Sequence, residues 1–384
     1  MRFGSGACGR PTCRLPRIEF GSCCTVRSSR RNNRWLGWLR SRFWRRPDSD
    51  FGPRRGPVVH VVILDGTMSS LKPGCETNAG RAYHLCREVG SPLSIYYEPG
   101  LQWSNWRSAV DVMQGRGINR QIRRAYGYLA SRYRPGDKIF LMGYSRGAYA
   151  VRSLAGVIDR MGLLRAEGAT ERNIRDVYRH YEGDPDSTSA RSFVSAHCLT
   201  GVEIEMIGVW DTVKSLGFNA PVLWRLSEKR HAFHNHHLSH NVKAGYHALA
   251  LDETRVVYAP VMWSSPDAFE GHVEQMWFPG THGDVGGQLG GYEVARSLAN
   301  IPLVWMLERA QIRGLPLPDG WARRFAQDAT APSTGTFRGY GKWFISRRAR
   351  KVGTDGSERL HDSVAIRAAA LPTPRRIMRG LKRA

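Results

Sequence analysis

The sequence predicts an α/β protein built on a doubly wound, mostly parallel sheet with flanking helices. Two observations carry that prediction. Short runs rich in apolar and β-branched residues alternate with longer helical patterns, the rhythm of parallel strands joined by helical crossovers. The turns that close several of those runs hold chemically unusual residues, and such sheets bind ligands at the carboxyl ends of their strands.

The first strand candidate, Val58 to Leu64 (VVHVVIL), follows the Pro/Arg-rich linker FGPRRGP and ends in Asp65-Gly66-Thr67. A continuous apolar run bounded by turn residues reads as a strand buried on both faces. Five more candidates follow: Leu93 to Tyr97, Lys138 to Gly143, Ile204 to Trp210, Arg255 to Trp263 and Val273 to Phe278. Between the second and third, Ile118, Ile122, Tyr126 and Leu129 recur at helical spacing, and Arg134-Pro135-Gly136-Asp137 stops that helix. A second apolar-periodic helix runs from Tyr292 to Gln311.

With 384 residues, 41% of them hydrophobic, and twelve Trp, the chain has ample material for a packed core, which excludes a wholly disordered protein. The net charge is +24. Much of it sits at the ends, since residues 1–55 hold fourteen Arg against Glu19, Asp48 and Asp50. The expected organisation is a basic leader over residues 1–56, a catalytic domain over 57–345 and a basic C-terminal tail over 346–384. The leader's Arg-rich, acid-poor composition resembles a transit peptide, and a translation start placed too far upstream would account for it equally, so whether it is translated is open. Within it, RWLGWLRSRFWRR (Arg34 to Arg46) reads either as a lipid-seeking amphipathic helix or as a disordered basic segment.

Of the seven Cys, Cys8, Cys13, Cys23 and Cys24 lie in the leader, and Cys75, Cys86 and Cys198 are scattered. An odd count without regular spacing argues for reduced thiols. No run reaches the roughly 18 apolar residues of a membrane span, and the N-terminus lacks a signal-peptide core. The expected localisation is cytoplasmic, with signal-peptide-independent secretion or peripheral membrane attachment as alternatives. Nucleotide motifs are missing too: there is no Walker loop, and the glycines at 286–291 do not open the first turn of the sheet.

The third strand runs into Gly143-Tyr144-Ser145-Arg146-Gly147 and then a helix-like segment. A bare G-x-S-x-G is weak, but strand, turn and helix in this order are what a nucleophile elbow requires. A serine hydroxyl reacts only with a base and an orienting acid beside it. Asp211 follows the fourth strand and His282 the sixth, so Ser145, Asp211 and His282 occur in the order of the α/β-hydrolase triad. Plainer readings also exist, a helix N-cap for Asp211 and a hydrogen-bonded loop histidine for His282. Asp284 competes for the acid role. Oxyanion N–H groups are expected from Arg146 and from Gly66 and Thr67. His231, His234, His236, His237, His240 and His247 read as a solvated or membrane-facing segment, and no catalytic metal or other cofactor is expected.

Five stretches taken together resemble one family: Leu64 to Thr67, Gly143 to Tyr149, Gly208 to Val213, His247 to Glu253 and Trp277 to Gly287. It is the α/β-hydrolase family that includes type VI secretion phospholipase effectors. The resemblance implies an α/β-hydrolase fold and a serine esterase of phospholipase A type acting on phospholipid acyl esters. It places the nucleophile at Ser145, the acid at Asp211 and the base at His282. Leu360-His361-Asp362-Ser363-Val364 is similar to a late family motif with Pro in place of Asp362, which makes His361 a rival base.

The expected partners are a phospholipid or other acyl-ester substrate and an anionic membrane surface, with no specific nucleic acid. The alternative is a catalytically silent hydrolase fold that binds nucleic acid or anionic surfaces through its basic ends. Oligomeric state and any immunity partner are not readable from the sequence.

Overall fold

Seven parallel strands form one sheet in a computed structural model that describes residues 56–100, 116–213, 238–265, 271–338, 341–342 and 344–371. The strands are β1 (Val59–Leu64), β2 (Leu93–Glu98), β3 (Lys138–Tyr144), β6 (Met206–Trp210), β7 (Ala244–Ala250), β8 (His272–Phe278) and β9 (Glu358–Leu360), in the spatial order β2-β1-β3-β6-β7-β8-β9. Two dipeptide strands, β4 (Leu163–Leu164) and β5 (Cys198–Leu199), pair separately as an antiparallel ribbon. The strand order reverses between β1 and β3, the place where such sheets open a crevice at their carboxyl ends.

The alternation of side chains along each strand builds two cores. Val62, Leu64, Ile139, Leu141, Ile207 and Val209 pack with helices α2 (Arg116–Ala130), α3 (Arg146–Met161) and α4 (Glu171–Glu182). Their neighbours Val61, Ile63, Phe140, Met142 and Met206 belong to a second cluster with α1 (Asn78–Val89) and α7 (Arg296–Ile312). Helices on both faces bury β1 and β3 almost wholly in apolar surroundings, which is why both were legible as nearly continuous runs. The remaining helices are α5 (Thr188–His197), α6 (His282–Gly286) and α8 (Asp362–Ala370). No helix among the described residues is long and apolar enough to cross a membrane.

Three expectations need correction. The segment Arg255 to Trp263 is no strand: it holds a 3-10 turn, Val256–Tyr258, and the fifth strand of the sheet is Ala244–Ala250. His247, read as part of a solvated His-rich surface, is fully buried in the middle of that strand. Residues 231–237 of the His-rich stretch lie outside the described residues, as do the leader and its Trp/Arg segment. Of the segment 346–384, read as a basic tail, residues 346–371 belong to the domain: β9 pairs with β8, and α8 contacts β8.

Candidate active site

Backbone strain marks the site before any side chain is considered. Among the described residues only Met68, Ser145 and Asp211 combine a side chain with positive φ, at 60°, 57° and 43°. Ser145 and Asp211 directly follow the carboxyl ends of β3 and β6, and Met68 lies in the turn four residues beyond the end of β1. Such conformations persist only where the surroundings over-determine them, and they concentrate at functional sites. At Ser145 the turn is possible because Gly143 and Gly147 let the backbones close: a Cβ on Gly147 would sit 2.0 Å from the Leu64 carbonyl oxygen.

The elbow lifts the Ser145 hydroxyl to 2.9 Å from His282 Nε2, and His282 Nδ1 lies 2.6 Å from Asp211 Oδ2. Asp211 is completely buried, and burial works against its charged form. The Arg350 guanidinium and the hydrogen bonds from His282 and Arg350 outweigh that and hold the carboxyl far below the usual carboxylate range. An ionised Asp211 can only accept, so the imidazole proton sits on Nδ1. That leaves the Nε2 lone pair facing the serine hydroxyl.

The imidazole is held on every side. The main-chain N–H of His282 donates to Glu253 Oε2 at 3.2 Å, and the ring packs with Tyr258, stacked at 4.7 Å, and with Tyr144 at 4.9 Å. Glu253 is paired in turn with Arg255, whose charge offsets burial and keeps the carboxyl below its ordinary range.

Neither rival residue joins this constellation. The Asp284 carboxylate accepts from the Thr281 and Thr334 N–H groups and from the Thr281 and Ser333 hydroxyls, so it fixes the turn that carries His282. His361 accepts from the Ser363 N–H and packs on Phe278. The Gly66 N–H donates to Asp65 Oδ1 at 2.7 Å, which removes it from the expected oxyanion donors. Gly66 is needed for a different reason, because a Cβ there would lie 2.5 Å from the Tyr144 ring. Among the described residues no acceptor is paired with the main-chain N–H of Thr67 or Arg146. The Arg146 side chain donates to the Thr67 hydroxyl. No group of three or more His, Cys, Asp or Glu side chains among the described residues is arranged to hold a metal ion.

His247 lies behind Asp211, where its Nε2 accepts from the Thr212 N–H at 3.1 Å. Burial and the nearby Arg152 push its imidazole down to about 3. An unfolded histidine takes up its proton near 6.5, so the unfolded state binds more protons as pH falls from there. Stability tied to neutral His247 is therefore complete above about pH 6.5 and declines by about 1.4 kcal/mol per pH unit toward the folded value. Urea unfolding from pH 7 to 4 is expected to show this acid slope, and His247→Gln to flatten it. Parallel slopes in the two proteins would contradict the assignment.

Fold and site together place the protein among the α/β-hydrolases. Residues 59–309 match the family described as the catalytic domain of Tle1-like phospholipase effectors of the type VI secretion system. The chain belongs to that family. It is similar to the uncharacterised protein YEL023C of Saccharomyces cerevisiae, 29% identical over 221 residues, which cover 51% of this chain and 31% of the yeast protein. It thus spans about a third of that relative's length. Among solved structures, an uncharacterised Pseudomonas aeruginosa protein aligns at 15% identity over 71% of this chain and 49% of its own, with a TM-score of 0.39. The Tle1 effector bound to the VgrG spike aligns at 17% over 61% and 52%, with a TM-score of 0.33. The Thermogutta terrifontis esterase Est2 aligns at 13% over 71% and 87%, with a TM-score of 0.34.

The sequence did not single out Tyr258 or Arg350. Tyr258 sat inside a segment that looked like a strand, and Arg350 was one arginine in a basic run.

Proposed function

We propose that the protein is a serine esterase of phospholipase A type, in which Ser145 is the nucleophile, His282 the general base and acid, and Asp211 the orienting acid. The observation that carries this reading is the continuous hydrogen-bonded path from the Ser145 hydroxyl through both ring nitrogens of His282 to the buried Asp211 carboxylate. Ser145 Oγ attacks the acyl carbonyl carbon while its proton passes to His282 Nε2. The main-chain N–H groups of Arg146 and Thr67 hold the oxyanion. Collapse breaks the ester bond, and His282 returns the proton to the departing lysophospholipid alcohol. Water, deprotonated by His282, then releases the fatty acid and restores Ser145.

Arg146 supports a phosphate-bearing substrate. The residue is 7% exposed, its side chain donates to the neutral Thr67 hydroxyl, and burial pushes its guanidinium down to about 10. Among the described residues no carboxylate pairs with Arg146, a costly state for a buried cation, and a lipid phosphodiester beside the scissile ester would supply the opposite charge. Arg146→Met is therefore expected to lower kcat/KM on phosphatidylglycerol vesicles about tenfold, the discrimination of a single charge-assisted contact. Hydrolysis of a neutral p-nitrophenyl ester should stay within about twofold. Equal loss on both substrates would remove the phosphate role.

The overall reading is tested by mass spectrometry of vesicles exposed to the full chain. Lysophospholipid and free fatty acid in equal amounts are expected. No product, together with tight and steeply salt-dependent DNA binding, would favour the catalytically silent binder instead.

A further inference from the structure

Arg350 lies outside residues 59–309, the stretch that matches the family, yet its side chain is only 5% exposed and reaches the Asp211 carboxylate. A short strap delivers it. Residues 344–350 run antiparallel to 254–258: Arg347 bridges Arg255, the Val256 N–H donates to the Ser346 carbonyl, and the Arg348 N–H donates to the Thr254 carbonyl. The Phe344 ring meets Tyr258 edge-on at 5.8 Å. The strap is therefore zipped to the segment whose Tyr258 stacks on His282.

The Arg350 guanidinium makes four hydrogen bonds from this position. Nη1 donates to Asp211 Oδ1 at 2.6 Å and to the Ala250 carbonyl at 2.8 Å, while Nη2 donates to Asp211 Oδ2 at 2.9 Å and to the Tyr258 carbonyl at 2.5 Å. The main chain gives the carboxylate one further donor, the Ala250 N–H at 3.1 Å from Oδ1. Asp211 Oδ2 thus serves His282 and Arg350 at once. A planar fork bound to both oxygens fixes the rotation of the carboxylate about its own axis, which a single N–H cannot do.

We propose that Arg350 is a positioning residue for the hydrolytic relay: it sets the plane and tempers the charge of Asp211, and through the Tyr258 carbonyl it holds the ring that stacks on His282. The inference rests on the assignment of Ser145, His282 and Asp211 given above. Two consequences separate it from mere support of the fold. Without the guanidinium, the carboxylate is freer to turn and the imidazole is oriented less often, which lowers kcat. The Asp211 charge also loses its cation, so it holds a proton on His282, and takes one itself, at higher pH.

The other groups around this pair do not titrate in that range. His247, behind Asp211, is neutral down to about 3, and Tyr144 and Tyr258 are raised by burial. Glu253 is held ionised with Arg255, and Arg146 and Arg152 remain cationic at neutral pH, at about 10 and about 9.

The experiment compares full-length wild type, Arg350→Met and Arg350→Lys by pH profiles of kcat and KM on a neutral p-nitrophenyl ester. Active sites are counted by end-point fluorophosphonate labelling, and folding is checked by thermal melting. For Arg350→Met, kcat per labelled site is expected to fall about tenfold or more with KM within about twofold. Its acidic limb is expected to move up by about one pH unit. Arg350→Lys keeps the charge but not the fork, so its limb should stay in place while kcat stays depressed. A melting loss with unchanged kcat per labelled site and an unmoved limb would overturn the proposal. Should Arg350→Met fail to fold, wild-type kcat in Arg350→Lys would overturn it equally. Wild type that neither labels at Ser145 nor hydrolyses the ester would instead refute the underlying hydrolase assignment.

Discussion

Replacing Ser145 by Ala lowers kcat for ester hydrolysis by on the order of 10⁵-fold or more, while the protein keeps its melting temperature within a few degrees. The size follows from the chemistry: without the hydroxyl no acyl-enzyme can form, and His282 and Asp211 have nothing to activate. The small effect on folding follows from what the side chain does in the resting protein, where its hydroxyl meets His282 Nε2 at 2.9 Å. The strained turn at φ 57° is imposed by the main chain, with the Ser145 N–H donating to the Trp210 carbonyl, and that bond survives the substitution. Labelling with a fluorophosphonate, followed by peptide mapping, is expected to place the adduct on Ser145 and to vanish in Ser145→Ala. A variant that hydrolyses esters at the wild-type rate would end the serine-esterase reading.

Asp211→Asn is expected to damage both activity and stability, and the two losses have different causes. An asparagine amide can donate to His282 Nδ1, which would place the imidazole proton on Nε2, where it points at Ser145 and blocks proton uptake. A kcat loss of about 10⁴-fold follows from that tautomer change. Stability falls as well, because Arg350 would face a neutral amide in a buried setting where it now has a bidentate carboxylate. Breaking a buried pair from one side costs about 3–5 kcal/mol. Urea midpoints at pH 7 check the second claim and single-turnover kinetics the first. Full stability in Asp211→Asn would mean that the Arg350 charge is satisfied elsewhere.

The comparison of sequence with structure turns on which kind of information each feature carries. β1 and β3 were readable because strands covered on both faces need apolar residues at nearly every position, and VVHVVIL, interrupted only by His60, has that composition locally. β7 was missed because AGYHALA holds small residues and no β-branched ones, and because it adjoins a His-rich stretch that suggested a surface. Its burial comes from β6, β8 and the ring of Trp263, all distant along the chain. Conversely, Arg255 to Trp263 has the β-branched and aromatic content of a strand, yet it forms a 3-10 turn because its partner is the strap from 344 to 350.

By itself the sequence determined the doubly wound fold, the elbow at Ser145 and the chain order of Ser145, Asp211 and His282. These depend on side-chain type, turn chemistry and position relative to strand ends, which are local properties. Only the tertiary structure decided that Gly66 is spent on Asp65, that Asp284 fastens a turn, and that Arg350 grips the acid from 139 residues away. An arginine in a basic run carries no mark of its partner, because the partner is set by packing between segments that meet only when the sheet has formed.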